Sequence, residues 1–181
     1  MRRRAIAPAF LLIAAGLSCD VQSQRPASTV ATPGQPRPGV TSVSGLSAEM
    51  LANVEASYVP VYSHVYTADT AQALNLAATL FARNTDATTS VILTRVSYVG
   101  SDGKTLQEFL KSPLRIAPLA SMDFFIKESD VTGGASPSFL VEYVREGPAS
   151  EPIVESVMVG TAGTQGISFT CSGRRIAPRK P

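Results

Sequence analysis

The sequence predicts an all-β protein whose folded part is a single antiparallel, immunoglobulin-like β-sandwich of about seven to nine short strands. Many short runs alternate apolar and polar residues, as strands with one buried face do. Pro, Gly and Asn separate these runs at short, regular intervals. Long stretches with helical periodicity are missing, which argues against βαβ units and a nucleotide-binding α/β fold.

The N-terminus has the three parts of a bacterial secretion signal over residues 1–18: three arginines, an apolar run over 5–17, and the small Ser18. A membrane-spanning helix needs about 20 apolar residues, so this run is too short for a permanent anchor. Cleavage near Ser18 would release a soluble protein. Alternatively Cys19 is acylated, because residues 16–19 resemble a bacterial lipobox, although Gly16 departs from the usual Leu. We predict Cys19 as the lipid-attachment site.

A tether is expected over residues 19–46, which are rich in Pro, Ser, Thr and Gln. Their apolar content is too low to offset the entropy of ordering the chain, so disorder is predicted. A flexible coil of this length spans roughly 28 Å. The sequence therefore predicts a lipoprotein tethered at the periplasmic face of a bacterial membrane, either inner or outer. The alternative is a soluble periplasmic or secreted protein.

A short helix is predicted within residues 47–57, where Ser47 has the side chain of an N-cap. The β-domain is predicted to cover residues 58–176, followed by a solvated basic tail over 177–181. The predicted strands are residues 58–66, 74–80, 91–99, 105–110, 114–116, 122–126, 139–144, 153–159 and 167–171.

The charge pattern argues against nucleic-acid binding. The chain has 16 basic and 14 acidic residues, but removal of the leader with its three arginines makes the net charge negative. Nucleic-acid-binding domains carry a basic face. One His and no Cys pair exclude the usual zinc spacings, and no cofactor motif is found. Cys171 is predicted to act as a small buried hydrophobe.

Six sequence blocks resemble a bacterial domain family of unknown function whose members are typically predicted exported proteins or lipoproteins. They are YVPVYSHVY (58–66), LFARNT (80–85), Gly133-Gly134, FLVEY (139–143), PIVE (152–155) and QGISFT (165–170). The resemblance covers about residues 58 to 176. It implies an extracytoplasmic setting and brings no activity, ligand or catalytic residue with it.

The predicted strand over 58–66 contains the most distinctive candidate site. Because strand residues alternate faces, its valines would point to the core, and Tyr58, Pro60, Tyr62, His64 and Tyr66 would point outward. Aromatic rings with polar tips suit protein or glycan binding. Pro60 cannot donate a ladder hydrogen bond, which favours an edge strand able to accept a partner's strand. The alternative is that the helix or a loop covers these rings.

A second candidate is a pair of carboxylates, Glu142 and Glu155, each inside an apolar run. If their two strands form a hairpin in the right register, the carboxylates lie opposite each other, as acid–base or cation sites require. The alternative is two solvated carboxylates, or carboxylates paired with Arg95 or Arg145. No nucleophile, metal or cofactor motif supports an enzyme, so the leading hypothesis is a binding or assembly module. A glycosidase-like hydrolase and a purely structural role are its rivals.

Overall fold

The computed structural model describes residues 34–35 and 37–178. The chain divides into two units, Met1–Val30 and Ala31–Pro181, and every described residue belongs to the second. The predicted signal peptide, Cys19 and residues 179–181 lie outside the described part.

The described residues form thirteen strands and one helix. In chain order these elements are β1 (Val40–Ser42), α1 (Ala48–Ala52), β2 (Glu55–Pro60), β3 (His64–Tyr66), β4 (Ala73–Asn75), β5 (Ala77–Arg83), β6 (Val91–Val99), β7 (Thr105–Glu108), β8 (Leu114–Ile116), β9 (Ser121–Ile126), β10 (Ser138–Arg145), β11 (Ile153–Ala162), β12 (Gln165–Ser172) and β13 (Arg174–Ile176).

The strands build two main antiparallel sheets and one hairpin. The larger sheet has the order β1-β8-β6-β10-β2-β13, with β7 also paired to β6. The smaller sheet has the order β12-β11-β5-β9, and β3 pairs with β4. One hydrophobic core contains residues from both main sheets, such as Phe139 and Val141 from β10 and Leu80 and Phe124 from β5 and β9. The predicted all-β antiparallel sandwich is therefore confirmed, with more strands than expected.

The predicted helix is confirmed in place but is shorter than expected. Ser47 Oγ accepts a hydrogen bond from the Met50 N–H at 3.2 Å and caps α1. The helix ends at Ala52, because the chain becomes extended in β2 from Glu55 onward.

The predicted tether extends too far along the chain. β1 pairs with β8, and Val40 is buried in the core. The Gly34 N–H donates to the Asp123 carbonyl at 2.8 Å, and Arg37 forms an ion pair with the Asp123 carboxylate. Low average hydrophobicity predicts disorder for the segment as a whole, but a single core-facing valine and an open sheet edge are enough to order its last part.

The residues just before the predicted tail also form a strand. Gly173 donates its N–H to the Val154 carbonyl at 2.7 Å, and the chain then crosses from the smaller sheet to the larger one. Arg174–Ile176 pair with β2 as β13. Consequently β2 lies between β10 and β13, and the prediction that it is an edge strand is wrong.

Candidate functional site

The aromatic segment over 58–66 is two strands rather than one, because the chain leaves the larger sheet at Pro60. The Val61 N–H donates to the Pro137 carbonyl at 3.0 Å, toward β10. Backbone groups alternate direction along a strand, so the Pro60 nitrogen faces the other side, beyond the last residue that pairs with β13. The lack of an N–H on Pro60 therefore removes no hydrogen bond between β2 and β13. The Pro60 carbonyl accepts from Ser156 Oγ of the facing sheet at 2.6 Å.

The predicted alternation of faces survives this break. Val59 and Val61 are buried, and Val65 packs against the core. The tyrosines point away from it: Tyr58 is 41% exposed, Tyr62 37% and Tyr66 56%. Within residues 34–35 and 37–178, therefore, neither α1 nor a loop buries these rings, which was the alternative to a binding surface.

The structure brings these side chains together in pairs rather than in one row. Tyr62 packs edge-on against Phe169 of β12, with ring centroids 5.8 Å apart. His64 packs edge-on against Tyr66 at 5.4 Å. Tyr58 stands on the larger sheet, directly opposite Leu140 and Arg174. We call Tyr62, His64, Tyr66 and Phe169 the aromatic surface.

His64 is oriented by a serine whose proton is already committed. Ser63 is buried, and its Oγ donates to the Gly134 carbonyl at 2.6 Å. The same Oγ lies 2.9 Å from His64 Nδ1. A hydroxyl has one proton, so Nδ1–H must be the donor in the second bond. This arrangement positions the imidazole and does not activate the serine as a nucleophile.

The predicted carboxylate pair is wrong. Glu142 is in β10 of the larger sheet, where it lies opposite Arg95 and Ala56. Glu155 is in β11 of the smaller sheet and forms an ion pair with Arg83. The residues between the two strands cross from one sheet to the other instead of closing a hairpin. The two carboxylates therefore cannot be cross-strand partners, and the paired arrangement that the hydrolase hypothesis requires is not formed.

The remaining candidates for chemistry in the described part of the chain are the Cys171 thiol and a metal site. Cys171 is half-buried, and burial raises the pKa of its thiol, which disfavours the reactive thiolate. Residues 34–35 and 37–178 contain no group of three or more His, Cys, Asp or Glu side chains able to hold a metal ion. They also contain no helix long and apolar enough to cross a membrane.

A charged cluster at the end of the sandwich was not anticipated from the sequence. Glu55 is nearly buried, and its two carboxylate oxygens face Arg145 Nε at 2.6 Å and Arg175 Nη2 at 2.9 Å. These three residues line a cavity of about 650 Å³ together with α1 and the end of β10. Scattered charges at strand ends give no sequence signal, because only the pairing of β2 with β10 and β13 brings them together.

The sequence also did not predict that Phe169 packs against Tyr62. The sequence predicts that Cys171, which alternates with Ile167 and Phe169, is a small buried hydrophobe. Phe169 and Cys171 pack against the core but are only half-buried, and Ile167 is 39% exposed, because β12 is the outermost described strand of its sheet. The position of Phe169 beside Tyr62 depends on sheet order, which local periodicity does not encode.

Comparison with known proteins gives one family and one distant structure. The chain is similar to the crystal structure of Thermotoga maritima 1070, with 12% identity and a TM-score of 0.38, over 66% of this chain and 92% of that chain. No curated protein matches it. Residues 54–176 match the family described as "Protein of unknown function (DUF3124)", in agreement with the resemblance found in the sequence blocks. The chain therefore belongs to the DUF3124 family.

Proposed function

We propose that the protein is a binding or assembly module of the bacterial cell envelope, tethered to a membrane through a lipid on Cys19. The observation that supports it most is the exposure of Tyr62 and Tyr66 at the aromatic surface. Large exposed aromatic rings are unfavourable in water unless a partner covers them, and Tyr is enriched at protein interfaces. The partner is an envelope protein or a glycan that packs on these rings.

The export part of the proposal has its support in the sequence. Residues 1–18 have the charge, apolar run and small residue of a secretion signal, and Cys19 follows directly. Globomycin, which inhibits the lipoprotein signal peptidase, should cause the uncleaved chain to accumulate. Mass spectrometry should find diacylglycerol on Cys19, and Cys19→Ser should release the protein from membranes. A globomycin-insensitive, unmodified protein would favour the soluble alternative.

The binding part is tested by crosslinking in intact envelopes. Tyr66→Ala and the double variant Tyr62→Ala/His64→Ala should reduce capture of the partner about tenfold or more, as expected for aromatic contacts at an interface. Phe125→Ala is the matched control, since Phe125 is 45% exposed on β9, away from this surface. The mass of the crosslinked product distinguishes a protein from a glycan.

Two outcomes would count against binding at this surface. Capture that is unchanged in folded Tyr66 and Tyr62/His64 variants would favour a purely structural role. Equal losses in the Phe125→Ala control would place the contact elsewhere or indicate a general loss of stability. Circular dichroism of each variant establishes that it is folded.

A further inference from the structure

The longest open strand edge in the described part of the chain belongs to β12. β12 pairs with β11 on one side, and no described strand pairs with its other side. The opposite edge of the same sheet is protected, because Gly34 donates to β9 at Asp123 and Arg37 forms an ion pair there. Open edges are usually blunted by Lys, Pro or a covering loop. Residues 165–172 include none of these and no charged side chain.

The direction of the backbone groups along β12 follows from one hydrogen bond. Gly173, in register with Val154, donates its N–H toward β11. Because these groups alternate, the odd-numbered residues of β12 bond to β11 and the even-numbered ones turn N–H and C=O outward. The outward residues are Gly166, Ser168, Thr170 and Ser172, and all four are exposed.

We propose that this edge pairs with the same edge of a second copy of the chain, antiparallel about a two-fold axis at Phe169. In this register Ser168 lies opposite Thr170 of the other copy, and Gly166 opposite Ser172. All four outward residues then exchange hydrogen bonds across the seam, whereas a shift by two residues leaves one of them unpaired. The two four-stranded sheets become one continuous sheet of eight strands.

The side chains of β12 and their lack of charge favour a second copy of the chain as the partner of this edge. Antiparallel self-pairing places residues of β12 only opposite other residues of β12, so any like charges on this strand would face each other and repel, but β12 has none. Phe169 faces Phe169 of the second copy, and each ring already packs against Tyr62. Cross-strand aromatic pairs of this kind stabilise antiparallel sheets. The seam therefore covers Phe169 and Ile167, which the monomer leaves partly exposed.

The dimer shares Phe169 with the aromatic surface but does not depend on the proposed envelope partner, and disulfide trapping with the isolated full chain tests it. In a Cys171→Ala background, Phe169→Cys should crosslink to itself under mild oxidation, since opposed residues of a non-hydrogen-bonded pair lie within disulfide reach. Ser168→Cys is the matched control and should not crosslink, because it lies opposite Thr170.

A second trap does not alter the Phe169–Tyr62 contact. Ile167→Cys, with the native Cys171 kept, should form disulfides between position 167 of one copy and Cys171 of the other. Within one chain these two positions are about 13 Å apart along the strand, too far for a disulfide. Thr170→Pro removes an outward donor without breaking a bond to β11 and should yield monomers in native mass spectrometry.

The outcomes separate this inference from the proposed function. Efficient trapping through positions 169 and 167, with no trapping through 168, supports the dimer and its register. Absence of trapping in both folded variants overturns the dimer, and trapping through 168 overturns the register. Tyr66→Ala should lose the envelope partner and still be trapped through position 169, whereas Thr170→Pro should lose the dimer alone.

Discussion

Replacing Gly133 by Ala should destabilise the protein by forcing a methyl group into a closed site beside Tyr98. A Cβ at this position would overlap the Tyr98 hydroxyl oxygen and lie 2.9 Å from its Cζ and 2.8 Å from Pro137 Cβ. Favourable carbon contacts are about 3.5–4.0 Å. Tyr98 is only 1% exposed and packs against Phe139 at 5.7 Å, so its ring has little room to move.

The size of the effect follows from two opposing contributions. Overpacking of this kind costs about 1–3 kcal/mol, and rigid neighbours place the cost toward the upper end. The φ angle of Gly133 is not positive, so Ala loses no backbone conformation and gains about 0.4–1 kcal/mol from the unfolded state. The net decrease in the free energy of unfolding should be about 1–2.5 kcal/mol.

Urea denaturation followed by circular dichroism measures this change, with an unchanged m-value as the sign that unfolding remains two-state. Gly45→Ala is the matched control, since nothing lies within 4 Å of its Cβ position, and it should be neutral or slightly stabilising. Adding Tyr98→Phe to Gly133→Ala should recover part of the loss by removing the overlapping oxygen. A Gly133→Ala protein as stable as wild type, or no recovery in the double variant, would refute the proposed overlap.

Three further predictions concern charged and titrating groups. Burial raises the pKa of Tyr98 to about 12, above its unfolded value of 10.0. The stability that neutral Tyr98 contributes below pH 10 is therefore lost as the pH rises toward 12. Tyr98→Phe should reduce this loss in alkaline denaturation curves. Glu55→Gln leaves Arg145 and Arg175 facing a neutral amide and should lower the free energy of unfolding by about 1–3 kcal/mol; thermal unfolding that matches wild type would show that the cluster is not stabilising. Hydrogen bonds from backbone N–H groups, of which that of Thr88 has the largest effect, hold the pKa of Asp86 well below its usual 3.8. The stability that the Asp86 carboxylate contributes above pH 4 is therefore lost in acid. An Asp86→Asn variant whose acid unfolding transition is as steep as that of wild type would contradict this.

Local features of the fold were predictable because they depend on neighbours in the chain. The alternation of Val59 and Val61 with Tyr62 follows from the two-residue period of a strand, and it persists through the break after Pro60. Ser47 caps the helix through a contact only three residues away. Abundant turn residues and the lack of helical periodicity were sufficient to predict the all-β class.

The sequence did not predict which distant segments of the chain lie next to each other in the fold. Glu142 and Glu155 are thirteen residues apart, yet their strands belong to different sheets, because the intervening chain crosses the sandwich. Three of the four residues of the aromatic surface were predicted: Tyr62, His64 and Tyr66 come from one run, whereas Phe169 joins them from β12.

The sequence by itself determined the all-β class, the outward tyrosines and the negative net charge of the chain that follows the predicted leader. These properties depend on composition and on the alternation of side chains between two faces. Only the tertiary structure decided which strands are neighbours, and therefore that the last part of the predicted tether becomes β1, that β13 encloses β2, and that β12 is left with an open edge. Strand pairing is set by the best overall burial of the core and satisfaction of backbone hydrogen bonds, and both are properties of the whole chain.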